Sequence, residues 1–301
     1  MNIVNTSFIK KGDIIQFGHF PQSQSEETEF HAVGNNIYLD NKEKRVYKYF
    51  CENFSSKEDK YFNFDPILWE VIEVNANYYR LLSLKMLMYS SLSESEKNNC
   101  TYSTSDLRKY LNDNFYNLAF SNDEKAIILS TSIAEENSTP QFKQTSSTVN
   151  CDKVFLPSII DLDKIGDFHL IKEKTTYAEN TALFGYLNSW LTRTPGSPEY
   201  YSFGPSNTVK MIAQSWSGNN GCKINQAAIH DITGVAPEII IQIPNYAKME
   251  QMVTSVDKKR ALIYLVKNEQ WKKEEKCSYC GGSFKGLLRK KCSSCGRIKD
   301  Y

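Results

Sequence analysis

Three consecutive segments decide the fold: DPILWEVIEV (residues 65–74), YYRLLSL (78–84) and STSDLRKYLNDNFYNLAFSNDE (103–124). In the first, Ile67, Trp69 and Val71 alternate with Leu68 and Glu70, the period of a β-strand. Asn75-Ala76-Asn77 supplies turn chemistry, because asparagine tolerates left-handed backbone angles. Tyr79, Leu81 and Ser83 return on one face, with Leu82 and Leu84 on the other. The pattern predicts an antiparallel hairpin with both faces partly buried. Ser103 to Asp106 offer capping oxygens to a helix. Its Leu107, Tyr110, Leu111, Phe115 and Leu118 fall on one stripe. Ser121 and Glu124 form an S-x-x-E capping box for a further helix through Ile127 and Ile128.

Upstream, KGDIIQF (11–17) reads as a strand that Pro21 ends by removing a ladder donor. Gln22 to Glu29 reads as a loop. Residues 30–50 read as a small meander with turns at Gly34-Asn35-Asn36 and Asp40-Asn41-Lys42. Downstream, residues 85–93 read as a short helix or irregular segment, 131–151 as a strand and then a polar loop, and KVFL (153–156) as a short buried strand. Ser158 caps one or two helical turns. SWLTRTP (189–195), then 200–203, 208–213 and 223–229, read as strands, with SGNNG (217–221) as a hairpin turn. EIIIQI (238–243) is the near-continuous apolar run of a central strand. From Pro244 to Lys273 the pattern turns helical. The expectation is an α+β body over residues 1–243, an antiparallel or mixed sheet with flanking helices. A helical connector (244–275) and a small C-terminal unit (276–301) follow.

The chain has 301 residues, 41% of them hydrophobic, which is enough to build a core without covalent staples. Net charge is +1, but residues 267–301 hold ten Lys and Arg against four Asp and Glu. The tail is therefore basic and the body mildly acidic, a pattern that suits an acidic partner such as nucleic acid or a plain solvated surface. The first twenty residues contain no apolar run of signal-peptide length. No stretch approaches the roughly 18 apolar residues of a membrane helix. A cytoplasmic location follows as the expectation, with reduced thiols. Cys51, Cys100, Cys151 and Cys222 are scattered and read as plain thiols in or near the core.

The other four cysteines are clustered as Cys277-x-x-Cys280-Gly and Cys292-x-x-Cys295-Gly, with eleven residues between the knuckles. Each C-x-x-C puts two sulfurs on one tight turn. The glycines after Cys280 and Cys295 let backbone amides approach the thiolates. Four thiolates at about 2.3 Å suit a tetrahedral Zn²⁺, with redox dithiols or an iron site as the alternatives. The expectation is a structural zinc ribbon, whose metal would supply stability that so polar a segment lacks. Four ligands leave no open position for catalysis. Phe284, Lys285, Arg289, Lys290 and Lys291 would line its hairpin as a cationic surface with an aromatic, suited to phosphates and a base. A protein partner or simple capping of the fold are the competing readings.

The body shows no catalytic constellation. His19, His31, His169 and His230 lack metal-spaced partners, and His230-Asp231 are adjacent residues that face opposite ways in a strand. No P-loop, G-x-G-x-x-G or nucleophile-elbow context occurs. Trp190, Arg193, Tyr200, Tyr201 and Trp216 gather in the loop-rich last third. There they form a candidate ligand surface of stacking planes and one anion-pairing arginine, or else core and a structural ion pair.

Several blocks together resemble a bacterial family catalogued as domain of unknown function 6273. They are GDIIQFGHFPQ, PILWEVIEV, YYRLLSLKML, the STSDLRKYLNDNFYNLAFS helix, CDKVFLPS, TTYA, SWLTRTP and GVAPEIII, spanning roughly Gly12 to Ile243. The resemblance implies a compact α+β module whose layout is similar to the C-type-lectin-like fold, and it brings no known activity. The family's Gly-Val-Arg-Pro motif has alanine here, at Ala236, so any role of that arginine is absent or moved. Its Trp-Leu-Arg-Ser-Pro pattern is one residue longer here, at Trp190 to Pro195. The function expected is a non-catalytic binding module with a structural zinc ribbon. The alternatives are an enzyme with a loop-built site in residues 190–237, and a nucleic-acid-associated protein using the basic ribbon.

Overall fold

Asn75 to Asn77 turn one strand back on the next as expected, not through left-handed angles, which neither asparagine adopts, but with the Asn75 side-chain oxygen accepting from the Asn77 N–H, and the resulting hairpin lies in the largest sheet. The computed structural model describes residues 9–52, 57–93, 100–133, 150–165, 170, 172–182, 186–196, 199–201, 204–206, 208–214, 222–243, 275–276, 283–286 and 290–293. The expected helical connector (244–273), Trp216, His169, Cys277, Cys280, Arg289 and Cys295 lie outside those residues.

Along the chain come β1 (Ile14–Gln24), β2 (Phe30–Gly34), β3 (Ile37–Asp40), β4 (Arg45–Glu52), β5 (Lys57–Val74) and β6 (Tyr78–Ser83). Two short strands, β7 (Lys85–Met86) and β8 (Met88–Ser90), stand where a helix or irregular segment was expected. The helical rod follows as α1 (Asp106–Tyr110), a π segment (Leu111–Phe115) and α2 (Tyr116–Ala119), then α3 (Asn122–Ile127). Next are β9 (Thr131–Ile133), β10 (Asn150–Asp152), β11 (Val154–Phe155), α4 (Ile159–Ile165), β12 (Glu173–Lys174) and α5 (Thr176–Thr181). The last third is β13 (Tyr186–Pro195), β14 (Glu199–Tyr201), β15 (Gly204–Ser206), β16 (Thr208–Gln214), β17 (Cys222–Ala228), β18 (Thr233–Val235) and β19 (Glu238–Gln242). A last hairpin pairs β20 (Phe284–Lys285) with β21 (Lys291–Cys292).

The helix signals act as expected. The Ser105 hydroxyl accepts from the Arg108 N–H at α1, and Ser121 and Glu124 make a reciprocal capping box at α3. Glu124 also accepts from the Gly18 N–H at 2.9 Å, so the cap of α3 holds β1 as well. Leu107, Leu111 and Phe115 are buried along one stripe. Arg108 reaches back to the fully buried Asp152 through Nε and Nη2, at 2.6–2.9 Å. Asn112 pairs with the backbone of Lys153 and Val154. The rod is thereby fixed to β10 and β11. Pro21 does not end β1, which continues to Gln24. β1 pairs with β5 alone among the described strands, so the missing N–H of Pro21 falls on an outer edge where no ladder needs it.

Two principal sheets carry the body. One has the order β11-β19-β6-β5-β4-β3-β2, with β1 also on β5; the other has the order β17-β16-β13-β18-β8. β13 and β18 run parallel and the remaining neighbours of both sheets are antiparallel, so the body is α+β with one antiparallel and one mixed sheet. One bent ribbon joins them. β6 pairs with β19 in the first sheet, and their continuations β8 and β18 pair in the second. Ladder bonds run through the corner, Ser83 N–H to Pro237 O at 2.8 Å and Leu87 N–H to Val235 O at 2.9 Å. The main core lies around Trp69, Phe20, Phe62, Phe115 and Phe155. A second cluster under the corner holds Trp190, Leu82, Met86, Ile212 and Ala236.

Gly234 sits in that corner against the Ser189 carbonyl, which a Cβ would meet at 2.7 Å. Backbone cannot step aside as a flexible side chain can. Gly234→Ala is therefore expected to cost about 1–3 kcal/mol of unfolding free energy in a urea titration.

Candidate functional site

The polar centre of the body is a buried cluster of two arginines and two carboxylates where the sheets meet. Arg80 stands on β6, Glu238 on β19, Asp161 on α4 and Arg193 on β13. The register sets Glu238 opposite Leu82 and Ile240 opposite Arg80, so Arg80 and Glu238 are diagonal neighbours on one face. Arg80 Nε donates to Glu238 Oε1, and its Nη2 lies 2.8 Å from Asp161 Oδ2. Arg193 Nη2 donates to that same Asp161 oxygen, and its Nη1 to the Leu156 carbonyl at 2.7 Å. Phe155 lies opposite Glu238 across the β11–β19 ladder, and both guanidinium carbons stand within 6.0 Å of its ring centroid.

Local sequence explains each placement. Ser158 caps α4 by accepting from the Asp161 N–H at 2.9 Å, which puts Asp161 in the first turn, where the helix dipole favours a carboxylate. The Thr194 hydroxyl accepts from the Ile159 N–H at 2.9 Å and the Arg193 N–H donates to the Pro157 carbonyl, which ties α4 to β13. Burial alone would lift the Asp161 carboxyl, but Arg80 and Arg193 overturn that and hold it well below the usual carboxylate range. Burial would likewise lower Arg80, yet Glu238 and Asp161 keep it firmly charged. Glu238 is fully buried, and burial pushes its carboxyl up despite the Arg80 contact. Its Oε2, like Nε of Arg193, has no hydrogen-bond partner among the described residues.

Of the residues expected on a ligand surface, Trp190 is fully buried, and its indole N–H donates to the Leu170 carbonyl at 2.9 Å. Arg193 belongs to the ion cluster and, like Trp190 three residues before it on β13, is buried. Tyr200 and Tyr201 lie on the small β14–β15 hairpin, opposite Pro205 and Gly204. An open recess of about 330 Å³ near Trp190 is lined by Met86, Lys172, Glu173, Lys174, Glu179 and Asn188. In it the buried Lys172 ammonium lies 5.3 Å from the Trp190 ring centroid and donates to the Ser83 carbonyl. His230 and Asp231 occupy the turn after β17, where the Asp231 carboxylate accepts from the Ala228 N–H. Cys51 and Cys100 are buried free thiols and Cys151 is an exposed one.

In the C-terminal hairpin Phe284 stands opposite Cys292 and Lys285 opposite Lys291. Among the described residues no group of three His, Cys, Asp or Glu is placed to hold a metal ion, and three of the four clustered cysteines lie outside those residues. Arg80, Asp161 and Glu238 did not stand out as site residues in the sequence. The signal was present: one charged residue inside YYRLLS and one heading EIIIQ, both otherwise apolar strands.

The profile of a family described as domain of unknown function (DUF6273) matches residues 78–243, more than half of the chain, and the chain belongs to that family. All four residues of the ion cluster fall inside the matched region. No curated protein and no solved structure matches the chain.

Removing one member of a buried pair strands the other. Arg80→Met is expected to cost about 3 kcal/mol or more in a urea titration near neutral pH. The double change Arg80→Met with Glu238→Leu should cost less than Arg80→Met alone, because it removes the stranded charge as well. The pH dependence has a defined sign. Asp161 is depressed in the folded state, so its stabilisation is full above the unfolded carboxylate value of about 3.9 and is lost as pH falls below it. Urea midpoints at about pH 5 and about pH 3 should therefore differ less for Asp161→Asn than for the wild type.

Proposed function

We propose that this member of the family is a non-catalytic binding module, built from a C-type-lectin-like body and a C-terminal ribbon closed on one structural zinc, and working in a reducing, cytoplasmic setting. The observation that carries the reading is the register of the last hairpin. The Ser293 N–H donates to the Ser283 carbonyl at 2.9 Å, and the Ser293 hydroxyl donates to that carbonyl at 3.0 Å. Cys280 lies three residues before Ser283, a reach of at most about 10 Å. Cys292 adjoins Ser293, and Cys295 follows two residues on. A register that pairs Ser283 with Ser293 supports a single ion held by Cys277, Cys280, Cys292 and Cys295, because it leaves both knuckles within that reach of one another. Four thiolates are the donor set that zinc favours, and they would complete its tetrahedron.

In the body, the ion cluster spends its charges on joining α4 to the two sheets. Ligand contact then falls to the last third, with the β14–β15 hairpin that carries Tyr200 and Tyr201 as its candidate. This supports recognition over chemistry, because the buried charges are committed to one another.

Native mass spectrometry with metal analysis tests the ribbon. The expected result is one zinc per full-length chain, with Cys292→Ser lowering the zinc content and the resistance of the C-terminal segment to proteolysis. A wild-type chain purified under reducing conditions that holds no zinc would rule the ribbon out.

A further inference from the structure

We infer that the recess over Lys172 is a seat for a small zwitterion, a molecule with one carboxylate and one ammonium, as in a free amino acid. The inference stands on the body alone and is independent of the ribbon. Sheet and helix build the recess together. The β7–β12 ladder sets Lys85 opposite Glu173 and Met86 opposite Lys174. The Thr175 N–H then donates to the Met86 carbonyl, and the Thr175 hydroxyl caps α5 by accepting from the Ala178 N–H. That cap starts α5 at the edge of the recess, so Glu179 lines the same opening, and Asn188 of β13 lines it from the other sheet.

The charges of the recess are ordered by depth. Lys172 is 3% exposed, with its ammonium over the Trp190 ring and donating to the Ser83 carbonyl. The side chains of Glu173 and Glu179 are 76% and 51% exposed. A cation thus stands inside and two carboxylates stand at the mouth. Lys85 and Lys174 approach those carboxylates at 3.5 Å each, in surface ion pairs that are weak and readily exchanged. A carboxylate seated by Lys172 would make a charge-assisted hydrogen bond in a partly desolvated site, where charges interact more strongly than at the surface. The Asn188 amide can supply a further donor to it. A bare anion in that seat would feel the repulsion of Glu173 and Glu179. A molecule with an ammonium at its other end turns that repulsion into attraction. The volume of about 330 Å³ is the liquid volume of roughly eleven waters, which is the size of an amino acid and too small for a nucleotide or a peptide.

The test uses the full-length chain and ligand-observed NMR. Saturation-transfer spectra are recorded on a mixture of the common amino acids at about 1 mM each, a concentration that reveals even weak binding. Each binder is then titrated beside its analogues that lack the amino or the carboxylate group. At least one amino acid should bind, and losing either group should weaken it about tenfold. Lys172→Met should weaken the same ligand about tenfold or more, and Glu179→Gln, at the exposed mouth, about threefold. Circular dichroism on the same samples identifies a Lys172→Met chain that has merely unfolded. Glu179→Gln and Asn188→Ala then carry the test, the latter with an expected loss of about threefold. Binding by no amino acid in the mixture overturns the inference. An analogue without the amino group that binds within about twofold of its parent also overturns it, because the mouth carboxylates then play no part. Folded variants at Lys172 or Glu179 that bind as the wild type does place the ligand elsewhere and overturn it as well.

Discussion

A carboxylate with no solvent exposure needs a cation beside it, and in this protein the requirement at Glu238 organises the body. Arg80 meets it from the adjacent strand, and Arg80 also reaches Asp161 at 2.8 Å. Asp161 in turn takes Arg193, whose other nitrogen satisfies the Leu156 carbonyl. Two sheets and one helix are thus tied through a single chain of charges. Buried ion pairs gain little net stability over apolar packing of the same shape. Their effect is on uniqueness, because a displaced α4 or a slipped β19 would leave charges unpaired in the interior.

The bent ribbon makes that arrangement possible. β6 and β19 belong to one sheet and β8 and β18 to the other, so the same two chain segments carry the ladder round a corner. Gly234 lets the Ser189 carbonyl approach at the corner. Ala236 is fully buried, in the cluster that also holds Trp190. The buried arginines of the body enter from Arg80 and Arg193, over the ring of Phe155.

How much of this was legible varies with the range of the interaction. Helix caps and the 65–84 hairpin act within a few residues, and their sequence signals, Ser105, Ser121, Glu124 and Asn75, correspond to observed bonds or turns. The strand Glu238–Gln242 was readable from its apolar run. Pro21 misled because its effect depends on whether β1 is an edge, which is a tertiary fact. Residues 85–90 misled because two- and three-residue strands are too short to show a period. The ion cluster joins residues up to 158 positions apart. A single charge in an apolar strand marks such a residue, but periodicity does not name its partner.

The two ends of the chain therefore use charge in opposite ways. In the body, arginines and carboxylates are matched and buried, and a matched buried charge has little field left to offer a partner. In the C-terminal hairpin, Lys285 stands opposite Lys291 across a two-residue ladder. A hairpin that short is marginal in water on its own. Its persistence therefore needs an external source of stability. A metal held by the neighbouring cysteines, as proposed above, would supply it. The division follows from chain length as much as from charge: the body has enough apolar surface to bury its ions, whereas a two-residue hairpin has little apolar surface to bury.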